Sequence, residues 1–225
     1  MSALIEFAPL LGRGLLITCG LTLAALMLGL LLGLSGALAK LSTLAWLRAL
    51  ASGYTTVVRG IPELLWVLLI YLGTLPLVRA MGELFGHDDW ALPPFWAGAL
   101  ALGLCYGAYA TEVFRGALLA IGRGQGEAGL ALGLSAAQVL WRITLPPMFR
   151  IALPGLGNLL MILIKDSALV SVIGLAELMG STEVAVAAVQ RPFTFYGVAA
   201  GINLLVTLAI NQGLRRLEAP AWRKR

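Results

Sequence analysis

Charge is scarce in this chain of 225 residues: Asp, Glu, Lys and Arg make up 12%, hydrophobic residues make up 60%, and the mean hydropathy is +0.91. That is more apolar surface than a soluble domain of this length needs to fill a core, and it belongs in a bilayer. Histidine is nearly missing. The sole one, His87, sits in an acidic segment without a spaced partner, which argues against an intramembrane enzyme built on a nucleophile, a base or metal ligands. The two cysteines, Cys19 and Cys105, lie in apolar runs with no metal-type spacing and read as small packing residues. No G-x-x-x-x-G-K-[ST] segment is present, so the chain has no P-loop, and any nucleotide energy it uses must come from another chain. The net charge of +5 does not indicate a nucleic-acid partner, because the basic residues form no long stripe.

What the chain has is long uncharged sequence. Between Arg13 and Lys40 run 26 residues without a charge, between Asp89 and Glu112 run 22, and between Arg191 and Arg215 run 23. About 20 apolar residues cross the hydrocarbon core, so each run predicts a spanning helix. The first exceeds a signal-peptide core and is followed by no small-residue cleavage site, so it is expected to stay. Two further apolar segments are interrupted: 60–78 carries Glu63 near its start, and 150–174 carries Lys165 and Asp166 after Pro154, Gly155 and Gly157. Interruptions of this kind occur where backbone or charge faces a cavity or a protein surface instead of lipid. The expected fold class is an all-α integral membrane protein with five transmembrane helices in a single domain, 1–225.

Charge sets the orientation. If five spans alternate, one side collects Lys40, Arg48, Arg59, Arg115, Arg123, Arg142, Arg150, Arg215, Arg216, Arg223, Lys224 and Arg225 against Glu127 and Glu218. The other side holds Arg13, Arg79 and Arg191 with Glu6, Glu83, Asp88, Asp89, Glu177 and Glu183. Basic residues are retained in the cytoplasm, so the N-terminus is expected outside and the C-terminus inside.

Four charges then fall within spans, and each needs a partner, a cavity or a function. Arg59 and Glu63 are four apart and Glu112 and Arg115 three apart, so each pair is expected to meet on one helix face as a structural ion pair. Lys165 and Asp166 are neighbours and project in different directions. Asn158 precedes Lys165 by seven residues, so these two share a face while Asp166 and Ser167 turn onto the next. Asn158, Asp166 and Ser167 are the candidate lining of a substrate pathway, with a subunit interface glued by interhelical hydrogen bonds as the alternative. A carboxylate there suits an ammonium or a cationic side chain. It would equally serve a proton-coupled carrier, and a self-sufficient secondary carrier or channel is the competing reading, although the chain shows none of the internal repeat common in such carriers.

The segment 123–146 is a polar-edged stretch between two spans. Gly124-Gln125-Gly126 reads as the end of the third span's extension, Glu127 as a first-turn acid complementing a helix dipole, and Leu130, Leu134 and Ala137 as the apolar stripe of a short helix. That helix is expected to stop before Pro146-Pro147.

Within it, Glu127-Ala128-Gly129, then Gly133, then Ile143-x-Leu145-Pro146 resembles the coupling loop of permease subunits of bacterial ATP-binding cassette importers. The spacing fits throughout, and Gly129 stands where Ala is usual. The segments Gly53–Leu64, Tyr106–Gly116, Ala152–Asn158 and Lys165–Ser171 are similar to the signature segments of the polar amino-acid permeases, most of all the histidine/lysine/arginine/ornithine and octopine/nopaline branch. A second departure is Gly122, where the family usually has Pro.

The resemblance implies the type I importer permease fold, with a cytoplasmic coupling helix between the third and fourth spans. It implies a multi-pass subunit of a bacterial cytoplasmic (inner) membrane, an importer of basic or polar amino acids and not itself an enzyme. Glu127, Ala128, Gly129, Gly133, Leu134, Ile143, Leu145 and Pro146 would form the ATPase-coupling surface. The implied partners are a second, similar permease (a heterodimer is favoured by the branch, while some relatives pair with themselves), two cytoplasmic ATPase subunits and a periplasmic amino-acid-binding protein. No cofactor or metal is implied in this chain; ATP and Mg would be bound by the ATPase.

Overall fold

The structure is a computed structural model that describes residues 2–84 and 91–222, and these are helical throughout apart from short connections. The acidic stretch His87-Asp88-Asp89, Trp90 and the terminal Arg223, Lys224 and Arg225 lie outside the described residues.

Helix α1 spans Ser2–Lys40, rich in Leu and Ala, which favour helix. Its 39 residues extend about 58 Å at 1.5 Å each, well beyond a hydrocarbon core of about 30 Å. A short turn leads to α2 (Ala45–Gly60). There the chain breaks, because Pro62 forces Ile61 out of helical backbone (φ −113°, ψ 133°), and α3 (Glu63–Leu84) begins. The indole of Trp66 closes the elbow by donating to the Val58 carbonyl at 3.1 Å, one of the carbonyls left open at the end of α2. Helix α4 (Pro94–Leu119) follows, with prolines at its start, where a missing N–H costs nothing.

After α4 come α5 (Arg123–Ala131), a single turn α6 (Ala136–Gln138), a π-helical turn (Val139–Thr144) and α7 (Leu145–Asp166). A 3₁₀ segment, Ser167–Ile173, ends at Gly174, and α8 (Leu178–Val189) and α9 (Pro192–Trp222) complete the chain. Among the described residues five helical stretches are long and apolar enough to span a membrane: Leu4–Lys40, Glu63–Leu84, Pro94–Leu119, Ala136–Ile173 and Pro192–Arg216.

Three sequence expectations are corrected. The third span ends at Leu119, and Gly124, Gln125 and Gly126 lie in the first turn of a new helix instead of closing the old one. Glu127 consequently sits in the second turn of α5, not the first. The chain also does not stop before Pro146. The last π-type bond runs from Leu145 N–H to the Leu140 carbonyl, and Pro146 and Pro147 then occupy the first positions of α7, where no N–H is required.

Helix α4 is the centre of the bundle: 72% of its apolar window is buried, whereas the other four spans bury 6–33%. Burial at that level needs small residues, and Ala97, Gly98, Ala101, Gly103, Gly107 and Ala110 supply them. Against this face lie Gly29, Gly33 and Gly36 of α1. A Cβ on Gly33 would meet the Ala110 Cβ at 2.5 Å, and one on Gly36 would overlap the Thr111 side chain. Such small-residue seams replace the hydrophobic effect as the source of helix association in lipid. Helix α2 is bound to the same hub, as the Tyr54 hydroxyl donates to the Leu104 carbonyl at 2.6 Å, a reach left open by the missing side chain of Gly107.

At the opposite end of the bundle Leu11, Leu178, Ala185, Phe195 and Ala199 form a separate cluster, with Phe7 edge-on to Phe195. Beside it, between the spans, Glu177 caps α8. Its carboxylate accepts from Gly180 N–H at 2.9 Å and from the Thr18 hydroxyl at 3.1 Å, and only 1% of the residue is exposed. Burial raises this carboxyl above the usual carboxylate range, partly offset by the Met179 and Gly180 N–H groups and by Thr18.

Candidate functional site

Two sites emerge, one on the loop between α4 and α7 and one at mid-span. The loop is closed by its own hydrogen bonds. Helix α5 ends in a Schellman turn: Leu134 N–H donates to the Gly129 carbonyl at 3.1 Å and Gly133 N–H to the Leu130 carbonyl at 3.0 Å. Gly133 has φ +82°, a left-handed conformation that a Cβ disfavours. Directly after it, Ser135 and Gln138 form a reciprocal capping box that starts the next turn.

The residues of the loop pattern therefore divide. Gly129 is buried under the following turn, where a Cβ would meet Ile143 Cδ1 at 2.5 Å and Val139 Cγ2 at 3.0 Å. Leu145 is buried with Phe114, Ala117 and Met148 and ties the loop to α4. Gly133 and Leu134 form the turn. Glu127, Ala128 and Pro146 point outward, together with Leu130, Leu132 and Trp141, of which Leu132 is 83% and Trp141 69% exposed.

The mid-span site is built on α4. Tyr106 lies at the middle of that helix, and Tyr109 is one turn further on the same side, with ring centroids 6.0 Å apart. Each delivers its hydroxyl to a carboxylate at a helix break. Tyr106 donates to Asp166 Oδ2 at 2.5 Å, at the last residue of α7, and Tyr109 donates to Glu63 Oε1 at 2.9 Å, at the first residue of α3. Glu63 is also favoured by the positive end of the α3 dipole. Asp166 sits where α7 passes directly into the 3₁₀ segment, and its carboxylate accepts from Tyr106 there. The Arg59 guanidinium lies over the Tyr109 ring, 5.2 Å from its centroid.

This geometry revises the sequence-based grouping. Arg59 and Glu63 do not pair, because the Ile61-Pro62 break puts them on different helices; they meet only through Tyr109. Glu112 and Arg115 are paired, at 2.9 Å, and Lys40 joins them on the other carboxylate oxygen at 2.5 Å. Ser167 is buried with its hydroxyl on the Ile164 carbonyl at 2.8 Å, while Asn158 and Lys165 are exposed on α7. Of the three pathway candidates, only Asp166 joins the cluster. Tyr106, Tyr109 and Lys40 were not singled out; the three-residue spacing of the tyrosines is a sequence signal, whereas the reach of Lys40 across 72 positions is not. Among the described residues no three His, Cys, Asp or Glu side chains come together as metal ligands.

The family model of the binding-protein-dependent transport system inner membrane component matches residues 25–224. The chain belongs to that family. It is 44% identical over 217 residues to the octopine transport system permease protein of Rhizobium meliloti, covering 94% of this chain and 92% of that one. It is 40% identical over 234 residues to the arginine ABC transporter permease protein of Escherichia coli K12, with 97% of both covered. To the histidine/lysine/arginine/ornithine transport system permease protein of Salmonella typhimurium it is 38% identical over 208 residues, covering 92% and 91%. The crystal structure of an amino acid ABC transporter with histidines superposes with a TM-score of 0.81 at 34% identity over 96% of each chain. An inward-facing methionine ABC transporter shares the fold, with a TM-score of 0.77 at 19% identity over 97% of this chain and 99% of that one. This ABC permease is thus a multi-pass membrane protein of the type I importer permease fold, a translocation subunit and not an enzyme.

Proposed function

We propose that this permease is the membrane-spanning subunit, in one domain, of an ATP-driven importer for basic amino acids in a bacterial inner membrane. The observation that carries the substrate class is the pair of carboxylates, Glu63 and Asp166, at helix breaks beside the mid-span tyrosines of α4. Binding sites in transporters form where helices break near the bilayer midplane, and two acceptor-only side chains suit a guanidinium or ammonium group. The names of the octopine, arginine and histidine relatives support the same class.

The charge distribution supports the N-terminus outside and the C-terminus inside, so the 123–146 loop faces the cytoplasm and α5 serves as the coupling helix. The loop's outward surface, Glu127, Ala128, Leu130, Leu132 and Trp141, then meets a separate ATPase that holds ATP and Mg. Two such ATPases, a second similar permease chain forming a heterodimer and a periplasmic binding protein complete the assembly. Nucleotide binding supplies differential affinity for one of two conformations, which is what a population shift requires.

The test is to tag the subunit, extract it gently from its native membrane and identify what co-purifies by mass spectrometry, beside a variant carrying Glu127→Ala and Gly133→Arg. A Walker-type ATPase recovered with the native form and lost from the variant is the expected result. A native subunit that purifies alone and transports without ATP would overturn the proposal in favour of a secondary carrier.

A further inference from the structure

We infer that Glu112 is a clamp through which movement of the loop between α4 and α7 is passed to α1 and α2, with Lys40 and Thr55 as its other jaws. Both salt bridges found among the described residues converge on this one carboxylate: Lys40 Nζ on Oε1 at 2.5 Å and Arg115 Nε on Oε2 at 2.9 Å. The Lys40 ammonium also donates to the Thr55 hydroxyl of α2 at 2.6 Å, and the Thr55 hydroxyl donates to the Ser52 carbonyl at 3.2 Å. Three helices therefore meet at the Lys40 ammonium, which α4 holds through Glu112 and α2 through Thr55. Thr55 is 3% exposed, the Lys40 side chain 13% and the Glu112 side chain 25%, so the Lys40–Glu112 contact is partly withdrawn from solvent, and charge pairs there are screened less than at the surface.

Its register is imposed by packing. The seam of Gly33 and Gly36 against Ala110 and Thr111 leaves α1 and α4 no room to slide, and it brings Lys40, one turn beyond Gly36, level with Glu112, the residue after Thr111. Glu112 in turn lies two helical turns from the end of α4 at Leu119, and three residues separate that end from α5. A displacement of α5 thus reaches Glu112 through that three-residue link and the last two turns of α4. From Glu112 it reaches α2, whose far end is the Pro62 break that carries Glu63. The network links the loop to the mid-span site by a route other than the covalent one through α7.

This inference rests on the reading of the 123–146 loop as the ATPase contact. The experiment is the complete complex with its binding protein in proteoliposomes, measuring ATP hydrolysed per amino acid imported for wild type, Lys40→Met, Lys40→Arg, Glu112→Gln and the double variant Lys40→Met/Glu112→Gln. The expected result is a rise of about tenfold in ATP used per amino acid for Lys40→Met and for Glu112→Gln, within the range of ordinary site-to-site coupling. Lys40→Arg should restore the wild-type ratio, and the double variant should be no worse than either single one. ATP and transport falling in parallel, or an unchanged ratio in both single variants, would overturn the clamp while leaving the importer reading standing. Wild-type uptake that needs no ATP would overturn both.

Discussion

Substituting Gly33 with Ala tests the seam on which the bundle is built. The added methyl would lie 2.5 Å from Ala110 Cβ, 3.1 Å from the Ala110 carbonyl carbon and 3.2 Å from Thr111 N. Carbon atoms prefer about 3.5–4.0 Å. Ala110 has no rotamer by which to give way and the other two atoms are backbone, so α1 and α4 must part by about 1 Å on this contact optimum. Overpacking of that kind costs about 1–3 kcal/mol. Gly29→Ala is the internal control, one turn earlier on the same face, where the nearest atoms would be the Gly103 oxygen and Gly107 nitrogen, both at 3.4 Å, in ordinary contact. Both substitutions gain the same helix propensity, about 1 kcal/mol, so their difference isolates the seam. At about 2–4 °C per kcal/mol for a chain of this size, Gly33→Ala should lose stability about 2–12 °C below Gly29→Ala. The measurement is the fraction of purified complex that stays monodisperse in detergent after heating, at one fixed heating rate because loss is irreversible. Equal midpoints for the two variants would refute the close approach of α1 and α4.

Asp166→Asn should lower uptake about tenfold or more, the scale of one lost charge-assisted interaction, with assembly of the complex intact; normal uptake in vesicles would remove Asp166 from the pathway. Tyr106→Phe leaves that carboxylate without its donor and should alter the half-saturating concentration of a basic substrate more than that of a neutral one, as competition binding to the purified complex would read. Glu177 gives a pH dependence of defined sign. Its carboxyl is raised in the folded state, so the stability it contributes is complete below the ordinary carboxylate range and is lost as pH rises through the folded value. Glu177→Gln keeps the cap to Gly180 and should flatten the thermal stability against pH on that acidic side; an unchanged slope would show that Glu177 does not set it.

The spans were legible because an uncharged run of more than 20 residues has few alternatives to crossing a bilayer. The loop pattern was legible as spacing, yet its shape was not. The prolines at 146 and 147 read as a stop, whereas at the first positions of a helix they are harmless, and the π-type turn before them hands over the hydrogen bonding. Pro62 was the opposite case: its effect on Ile61 was available from the sequence, and giving it more weight than the four-residue spacing of Arg59 and Glu63 would have separated that pair. The contacts Lys40–Glu112 and Tyr106–Asp166 join positions 72 and 60 apart, and no local periodicity carries such information. What could be read was that Glu112 and Asp166 each needed a partner.

The Schellman turn at Gly133 and the capping box at Ser135 have a consequence for how force is used in the proposed importer. A segment that must become ordered when it docks spends part of the contact free energy on its own folding. This loop arrives already folded, its backbone closed on itself and its inner face fastened to α4 through Leu145. It behaves as a rigid lever with a fixed handle, so work done on its outer surface is delivered to the helices instead of being absorbed at the point of contact.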